Sequence, residues 1–156
     1  MRSTLRKSNM NILCGVRFLI GCLFIVSGFE KLLGPYQNFL YVVQGYECFN
    51  PFLENIVAHI VPWIELLLGV FLVIGVWLKW ALRGVLILFA GFIMILSQAI
   101  LRKLPITECG CLGELLSFPL HVFLVFDSIF FLITGLLLKK IEKTSVFSLD
   151  HYYEKN

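Results

Sequence analysis

The chain has 156 residues, of which 59% are hydrophobic and 15% are charged, and its formal net charge is +3. An average soluble domain has about 25% charged residues, so the composition excludes an ordinary soluble domain and favours a protein surrounded largely by lipid. The basic residues stand at the ends of apolar runs, which excludes a nucleic-acid-binding surface, and the cysteines and histidines lack the spacing of a zinc site.

The first apolar run follows a basic segment, residues 1–12, as it also does in cleaved signal peptides. Residues 19–22 even resemble a lipoprotein cleavage site. Two features favour a helix that is retained instead. Arg17 lies inside the run, and the run continues past Cys22 to Phe29 where a mature lipoprotein would become polar. We therefore expect residues 1–12 to be a cytoplasmic segment that precedes the first membrane span.

Four segments are long enough to cross a membrane as helices, which takes about 20 apolar residues. The expected spans are residues 13–33, 60–78, 81–101 and 119–138. These runs are too long for barrel strands. Pro62 is expected in the first turn of the second span, because its missing N–H would be unpaired there anyway. The prediction is an all-α polytopic membrane protein, with a four-transmembrane-helix bundle over residues 13–140 and a cytoplasmic tail over residues 141–156.

Glycines recur within these spans at a spacing of seven residues, as in Gly21 and Gly28 or Gly84 and Gly91. Seven residues are close to two helical turns, so each pair lies on one helix face. Small residues allow helix backbones to approach closely in lipid. The glycines that we expect at helix contacts are Gly21, Gly28, Gly69, Gly75, Gly84, Gly91 and Gly135.

The lysines and arginines are distributed unevenly between the two sides of the predicted bundle. Ten of the 13 lie on the side that contains both termini, and Lys31, Arg102 and Lys103 lie on the other. The basic side is expected to be cytoplasmic. The sequence therefore predicts a multi-pass protein of the inner, or cytoplasmic, membrane with both termini inside. The loops over residues 34–59 and 102–118 are then extracytoplasmic.

The second of these loops contains Cys109 and Cys111, two thiols separated by one glycine. A disulfide between such near neighbours closes a small, strained ring, and strained, exposed disulfides are easily reduced. This favours redox chemistry. A static loop staple, two unrelated thiols and a soft-metal site stay open, although two sulfurs alone form a poor metal site. Cys48 is either a partner in a mixed disulfide or a buried loop cysteine, and Cys14 and Cys22 are expected to be packing residues.

Several polar residues fall within or at the ends of the predicted spans, all on the extracytoplasmic half. They are Glu30, Lys31, Glu65, Gln98 and Asp127. An unpaired acid at the centre of the bilayer costs about 2.5–3.5 kcal/mol on insertion scales, so Lys31 is expected to pair with Glu65 or Asp127. Two interpretations remain: a polar clamp that orients the helices, or a proton relay beside a redox centre in which Glu65 and Asp127 take part.

Three features of the sequence resemble a known family of membrane proteins. Arg17 followed by residues 27–32, SGFEKL, resembles the first helix of DoxX-like proteins. Residues 62–69, PWIELLLG, resemble their second helix. Residues 109–113, CGCLG, followed by Asp127 in the last span, resemble the MauE branch of these proteins.

The resemblance covers residues 10–140 and implies a four-helix membrane protein associated with redox maturation. Through MauE it implies a link to methylamine utilisation, in which the protein helps to process the disulfide-rich small subunit of methylamine dehydrogenase. The implied partner is an extracytoplasmic thioredoxin-like or disulfide-bearing client protein.

Three functions stay open at this point. The first is a thiol–disulfide oxidoreductase that uses Cys109, Cys111 and Cys48, with protons handled by Glu65 and Asp127 and a membrane quinone as the electron acceptor. The second is a non-enzymatic assembly factor that holds a partner during its maturation. The third is a small soft-metal transporter, for which the two cysteines of the first span are the extra support.

Overall fold

The computed structural model of the protein describes residues 2–104 and 120–140, and the side chains from residue 12 onward. Within these residues the chain forms helices and no strand, so the predicted all-α class is confirmed. The helices in chain order are α1 (Arg2–Leu33), α2 (Tyr36–Gly45), α3 (Pro51–Ile74), α4 (Leu78–Arg102) and α5 (Leu120–Lys139).

Four stretches in the described parts of the chain are long and apolar enough to span a membrane, as predicted. They are Ile12–Leu33 of α1, Pro51–Ile74, Leu78–Arg102 and Leu120–Lys139. Many of their large apolar side chains point away from the bundle, among them Phe52, Ile87 and Leu101. Such surfaces are stable in lipid, where each helix satisfies its own backbone hydrogen bonds. The protein is therefore a multi-pass membrane protein.

The four spans form two antiparallel pairs, α1 with α3 and α4 with α5. A tight turn joins α3 to α4. Gly75 ends α3 with φ 78°, and its N–H donates to the Phe71 carbonyl oxygen at 2.8 Å, a common helix C-cap that favours glycine. We call the end of the bundle that contains this turn the hairpin end. The opposite end, which contains α2, is called the α2 end.

Glycines bring the backbones of α1 and α3 into contact. A Cβ atom on Gly28 would lie 2.7 Å from the backbone nitrogen of Leu66, and one on Gly69 would lie 2.8 Å from the carbonyl oxygen of Gly21 and from the nitrogen of Ile25. Real Cβ atoms do not approach backbone atoms so closely. The predicted packing role is therefore confirmed for Gly21, Gly28 and Gly69.

The other glycines differ among themselves. Gly84 lies at a contact between α4 and α3, since a built Cβ would lie 2.8 Å from the side chain of Leu68. Gly75 caps a helix. The prediction is wrong for Gly91 and Gly135, which have no atom of the described residues within 4 Å of a built Cβ. Seven-residue spacing puts two glycines on one helix face, but it does not identify what that face contacts.

Two boundary expectations at the α2 end are also corrected. The second spanning helix begins at Pro51 rather than near residue 60, and Pro62 lies buried inside it. Polar residues such as Glu54 and Asn55 interrupt the apolar run without interrupting the helix, and Pro51 occupies the first-turn position that was expected for Pro62. The expected loop over residues 34–59 contains α2, which packs against α3.

Two apolar clusters fill the interior of the bundle. The larger runs from the hairpin end to the middle, where the rings of Phe24 and Phe89 meet edge to face at 5.2 Å. The smaller lies at the α2 end. Its buried members are Tyr46, Leu96, Ala99 and Phe123. Together they leave a few polar side chains enclosed between the helices, and these form the candidate site.

Candidate functional site

An ion pair joins α1 to α3 at the α2 end. Lys31 Nζ lies 2.7 Å from Glu65 Oε2, and both side chains are 2% exposed. Lys31 Nζ also donates to Ser27 Oγ at 2.6 Å, and Ser27 Oγ donates to Glu65 Oε2 at 3.2 Å. Of the two predicted partners of Lys31, Glu65 and Asp127, the structure pairs it with Glu65, and a serine hydroxyl is the third member.

The local sequence explains how these three groups meet. Ser27 and Lys31 are four residues apart, so they lie on one face of α1. Gly28 lies between them and lets α3 approach until its backbone is in contact. The ring of Phe39 from α2 covers the ammonium group at 5.4 Å from Nζ, which is a cation–π arrangement. Lys31 is thus held by three helices.

Asp127 adds a second carboxyl from α5. It is 7% exposed, and the charges of Glu65 and Lys31 both act on it. Its Oδ2 atom is buried and accepts no hydrogen bond from any part of the chain that the structure describes. A buried carboxylate oxygen with no donor costs free energy unless it binds a proton or a ligand. Among the described residues, this carboxyl oxygen is therefore available to bind a proton or a ligand.

Tyr46 connects the carboxyl cluster to Cys48. Tyr46 is buried directly after α2, and Asp127 and Cys48 both act on its hydroxyl electrostatically. Burial raises the pKa of Tyr46 above its ordinary value, and the two neighbouring acidic groups raise this pKa further. The phenol therefore stays protonated and can donate a hydrogen bond. Sequence reasoning did not select Tyr46, because an aromatic residue in a predicted loop carries no local signal of a site.

The Cys48 thiol is held between polar groups. Cys48 Sγ lies 3.3 Å from the carbonyl oxygen of Tyr46, to which the thiol donates, and 2.8 Å from the side-chain amide of Gln98. When this amide turns its oxygen to Arg102, the oxygen accepts from Nε at 3.2 Å and Nη1 at 3.3 Å. The amide nitrogen then faces the sulfur, and every polar group has a partner. Cys48 is half-buried and forms no disulfide with the cysteines that the structure describes.

Cys109 and Cys111 lie outside the described residues, so their predicted roles are not tested. The chain before and after them is located, however. Leu104 and Leu120 both pack against the same small cluster as Cys48. The residues on both sides of the segment that contains the two thiols therefore contact the same cluster as Cys48.

A further buried charge, Arg17, lies toward the hairpin end. It was expected near the cytoplasmic end of the first span, but its side chain is completely buried. Cys14, one turn earlier on α1, is buried as well and acts on it electrostatically. The position of a residue along a span does not determine which side faces the helices, so the sequence alone could not indicate this burial.

Cys22 and two histidines of the described residues lie on the outside of the bundle. Cys22 is exposed on α1, so its expected packing role is wrong, and it does not face the same space as the buried Cys14. His59 is exposed and its ring contacts that of Tyr36 at 4.3 Å between centroids. His121 is also exposed. None of the three contributes to the buried polar cluster.

Comparison with known proteins identifies a family. The family model described as "Methylamine utilisation protein MauE" matches residues 9–140 of the chain. This match covers all four spans and every residue of the site described above. No curated protein and no solved structure matches the chain.

Proposed function

The chain belongs to the MauE family of membrane proteins linked to methylamine utilisation, and from this premise we propose that it is a thiol–disulfide redox protein that matures a partner. The proposed client is a disulfide-bearing or thioredoxin-like protein on the extracytoplasmic side. The observation that carries the proposal is the convergence of a thiol, Cys48, a phenol, Tyr46, and a buried carboxyl, Asp127, at one end of the bundle.

Chain length limits how far the two loop thiols can lie from this site. Cys109 is five residues beyond Leu104, and an extended chain covers at most about 3.6 Å per residue, so Cys109 lies within about 18 Å of Leu104. Leu104 packs against the cluster that also contacts Cys48. A disulfide exchange between Cys48 and Cys109 or Cys111 is within reach of this segment.

The reaction that we propose oxidises the client. Two client thiols become a disulfide, while the disulfide of Cys109 and Cys111, or one that includes Cys48, is reduced to thiols. Reoxidation of these thiols releases two electrons and two protons, which a membrane quinone takes up to become a quinol. Attack proceeds through a thiolate. Asp127 would accept and pass protons, since its buried Oδ2 has no donor among the described residues.

Lys31 and Glu65 have a different part in this proposal. Their ion pair fixes α1 against α3 and sets the charge that Asp127 experiences. Glu65 is a second proton-handling group, but its partner Lys31 holds it at 2.7 Å. In the topology that we propose, the α2 end is on the extracytoplasmic side of the inner membrane and both termini are in the cytoplasm. The reason is that the basic residues are concentrated at the hairpin end and the termini.

The test is oxidation of a reduced client by membranes that contain the protein. Cys109→Ser and Cys111→Ser should each abolish turnover, and Cys48→Ser should slow it. Cys22→Ser is the matched control, because Cys22 is exposed on α1 away from the site. Full turnover in both loop variants would reject the redox proposal. Client maturation that survives these changes, but is lost when Gly28→Leu separates α1 from α3, would instead support a non-enzymatic assembly factor.

A soft-metal transporter is not proposed. Its extra support was a path of cysteines along the first span. Cys14 is buried whereas Cys22 is exposed, so the two thiols do not line a common path.

A further inference from the structure

A cavity of about 280 Å³ lies at the α2 end between α2, α3 and α4. Its walls are almost wholly apolar and include the aromatic rings of Phe39, Phe49 and Phe92. Ile87, which is 72% exposed, stands at the rim, so the cavity opens on the outside of the bundle. In a membrane this opening faces lipid, and a solute that enters it must be lipid-soluble.

The cavity results from the arrangement of the helix pairs. The α1–α3 and α4–α5 pairs are each closely packed, whereas α3 and α4 separate above their hairpin. Gly91 of α4 lines the space, and no described atom lies within 4 Å of where its Cβ would be. Any larger residue at this position would occupy the cavity. The glycine therefore keeps a ligand-sized space open.

Tyr46 links the cavity to the site. Its side chain forms part of the wall, and its hydroxyl is influenced by Asp127 and Cys48. A flat apolar molecule in the cavity would thus contact the residue on which both the thiol and the buried carboxyl act electrostatically. Binding pockets for small molecules commonly have this form, with apolar walls and a few polar groups at one side.

We propose that this cavity binds the ring and the first part of the isoprenoid tail of a membrane quinone, which rests on the proposed redox function. Aromatic side chains stack on a flat ring, and the opening at Ile87 lets the tail continue into lipid. The quinone takes two electrons from the thiols as they form a disulfide, and two protons, and leaves as the quinol. Tyr46 positions the ring beside the thiol and the proton-accepting carboxyl.

The first experiment measures binding of decylubiquinone to the purified protein in detergent by the rise in Tm. We expect a saturable rise for the natural sequence, since a ligand that binds the folded state stabilises it. Gly91→Leu should fill the cavity and weaken binding at least tenfold. Gly135→Leu is the matched control, because Gly135 is also a half-buried helix glycine without atoms within 4 Å of its Cβ, and it should bind normally.

A second variant guards against misfolding of the first. Val61→Phe narrows the cavity from α3 and should weaken binding as well. Equal affinity in the natural sequence and in either folded cavity variant would overturn the proposal. The absence of decylubiquinone binding would also overturn the proposal. An equal rise in Tm with dodecane and with decylubiquinone would do the same, because the cavity would then be a site for a lipid chain.

A single-turnover assay separates failure of this inference from failure of the redox proposal. Protein of the natural sequence that has first been oxidised should oxidise one equivalent of reduced client without any quinone. Repeated turnover with decylubiquinone should be lost in Gly91→Leu. If oxidised protein of the natural sequence oxidises no client, the redox proposal itself is rejected. If it does, but Gly91→Leu retains normal quinone-driven turnover, only the cavity proposal is rejected.

Discussion

The two ends of the bundle bury charge in different ways. At the α2 end, Lys31 is matched by Glu65 on the neighbouring helix at 2.7 Å, and Asp127 of α5 lies within their field. Toward the hairpin end, Arg17 is completely buried, and Cys14 of its own helix acts on it electrostatically. Polar contacts at the α2 end thus join different helices.

The surroundings of the two ends differ as well. The hairpin end is filled by leucines, and Leu72, Leu78, Leu82 and Leu137 are all almost inaccessible. The α2 end contains the cavity, the half-buried thiol of Cys48 and the carboxyl of Asp127. The closely packed leucines of the hairpin end stabilise the bundle, whereas the α2 end combines a cavity with a thiol and a carboxyl and can carry out chemistry. Four predictions test this division.

The largest expected loss of stability follows from breaking the ion pair at the α2 end. Lys31→Met leaves Glu65 buried without its counter-charge, and we expect a loss of about 3–5 kcal/mol in the free energy of unfolding. The double variant Lys31→Met with Glu65→Met should recover much of this loss, because no charge stays unpaired. Unfolding in mixed micelles measures both. Lys79→Met, an exposed lysine of α4, should be nearly neutral, and additive losses in the double variant would contradict the account.

The next effect concerns the contact between α1 and α3. Gly28→Ala puts a Cβ 2.7 Å from the backbone of Leu66, which forces the helices apart and should cost about 1–3 kcal/mol. Gly135→Ala adds the same methyl group in open space and should be neutral or slightly stabilising. The same unfolding assay compares the two variants. A stable Gly28→Ala protein would mean that the helices are not held in contact at this point.

A smaller effect, on turnover rather than on stability, is expected for the buried carboxyl. Asp127→Asn keeps the shape of the side chain and removes the ionisable carboxyl. The Oδ2 atom of this carboxyl accepts no hydrogen bond within the described chain. We expect unfolding to change by less than about 1 kcal/mol and client oxidation to fall at least tenfold, which corresponds to about 1.4 kcal/mol in the barrier. Normal oxidation by this variant would remove Asp127 from the proton path.

The smallest effect is expected for Thr134, a buried polar residue of α5 toward the hairpin end. Its hydroxyl donates to the Phe130 carbonyl oxygen of its own helix at 2.7 Å, so it joins no second helix. Thr134→Val should cost less than about 1 kcal/mol and leave client oxidation unchanged. A loss of turnover comparable to that of Asp127→Asn would show that the hairpin end also takes part in the chemistry.

The sequence predicts the four spans, and it limits the partner of Lys31 to Glu65 or Asp127, because both predictions depend on hydropathy and on depth in the membrane. Hydropathy over some 20 residues marks a span, and a lysine in lipid requires an acid at a similar depth. The ten residues of α2 are too short for the first signal. Its helix was missed because its contacts with α3 and Lys31, rather than its own composition, stabilise it.

Other parts of the site could not be predicted from the sequence for a geometrical reason. The burial of Arg17 and the position of Tyr46 depend on how helices are rotated about their axes and on the path of a connecting segment. Neither property is encoded by spacing within one span. Ser27 could have been selected, because it lies one turn before Lys31 on the same helix face. The redox roles of Cys109 and Cys111 and the orientation in the membrane stay predictions.

The most direct test of a chemically active, outward-facing α2 end is thiol trapping in intact cells. Two variants each retain one described cysteine in addition to Cys109 and Cys111, either Cys48 or Cys14. After mild reduction, a membrane-impermeant maleimide should label Cys48, Cys109 and Cys111, and oxidation with a quinone should remove the labelling of the two thiols that form a disulfide. Cys14 should react only with a membrane-permeant reagent, and only after the protein has been denatured. Labelling of Cys14 by the impermeant reagent, or labelling of Cys109 and Cys111 that oxidation does not change, would contradict the account.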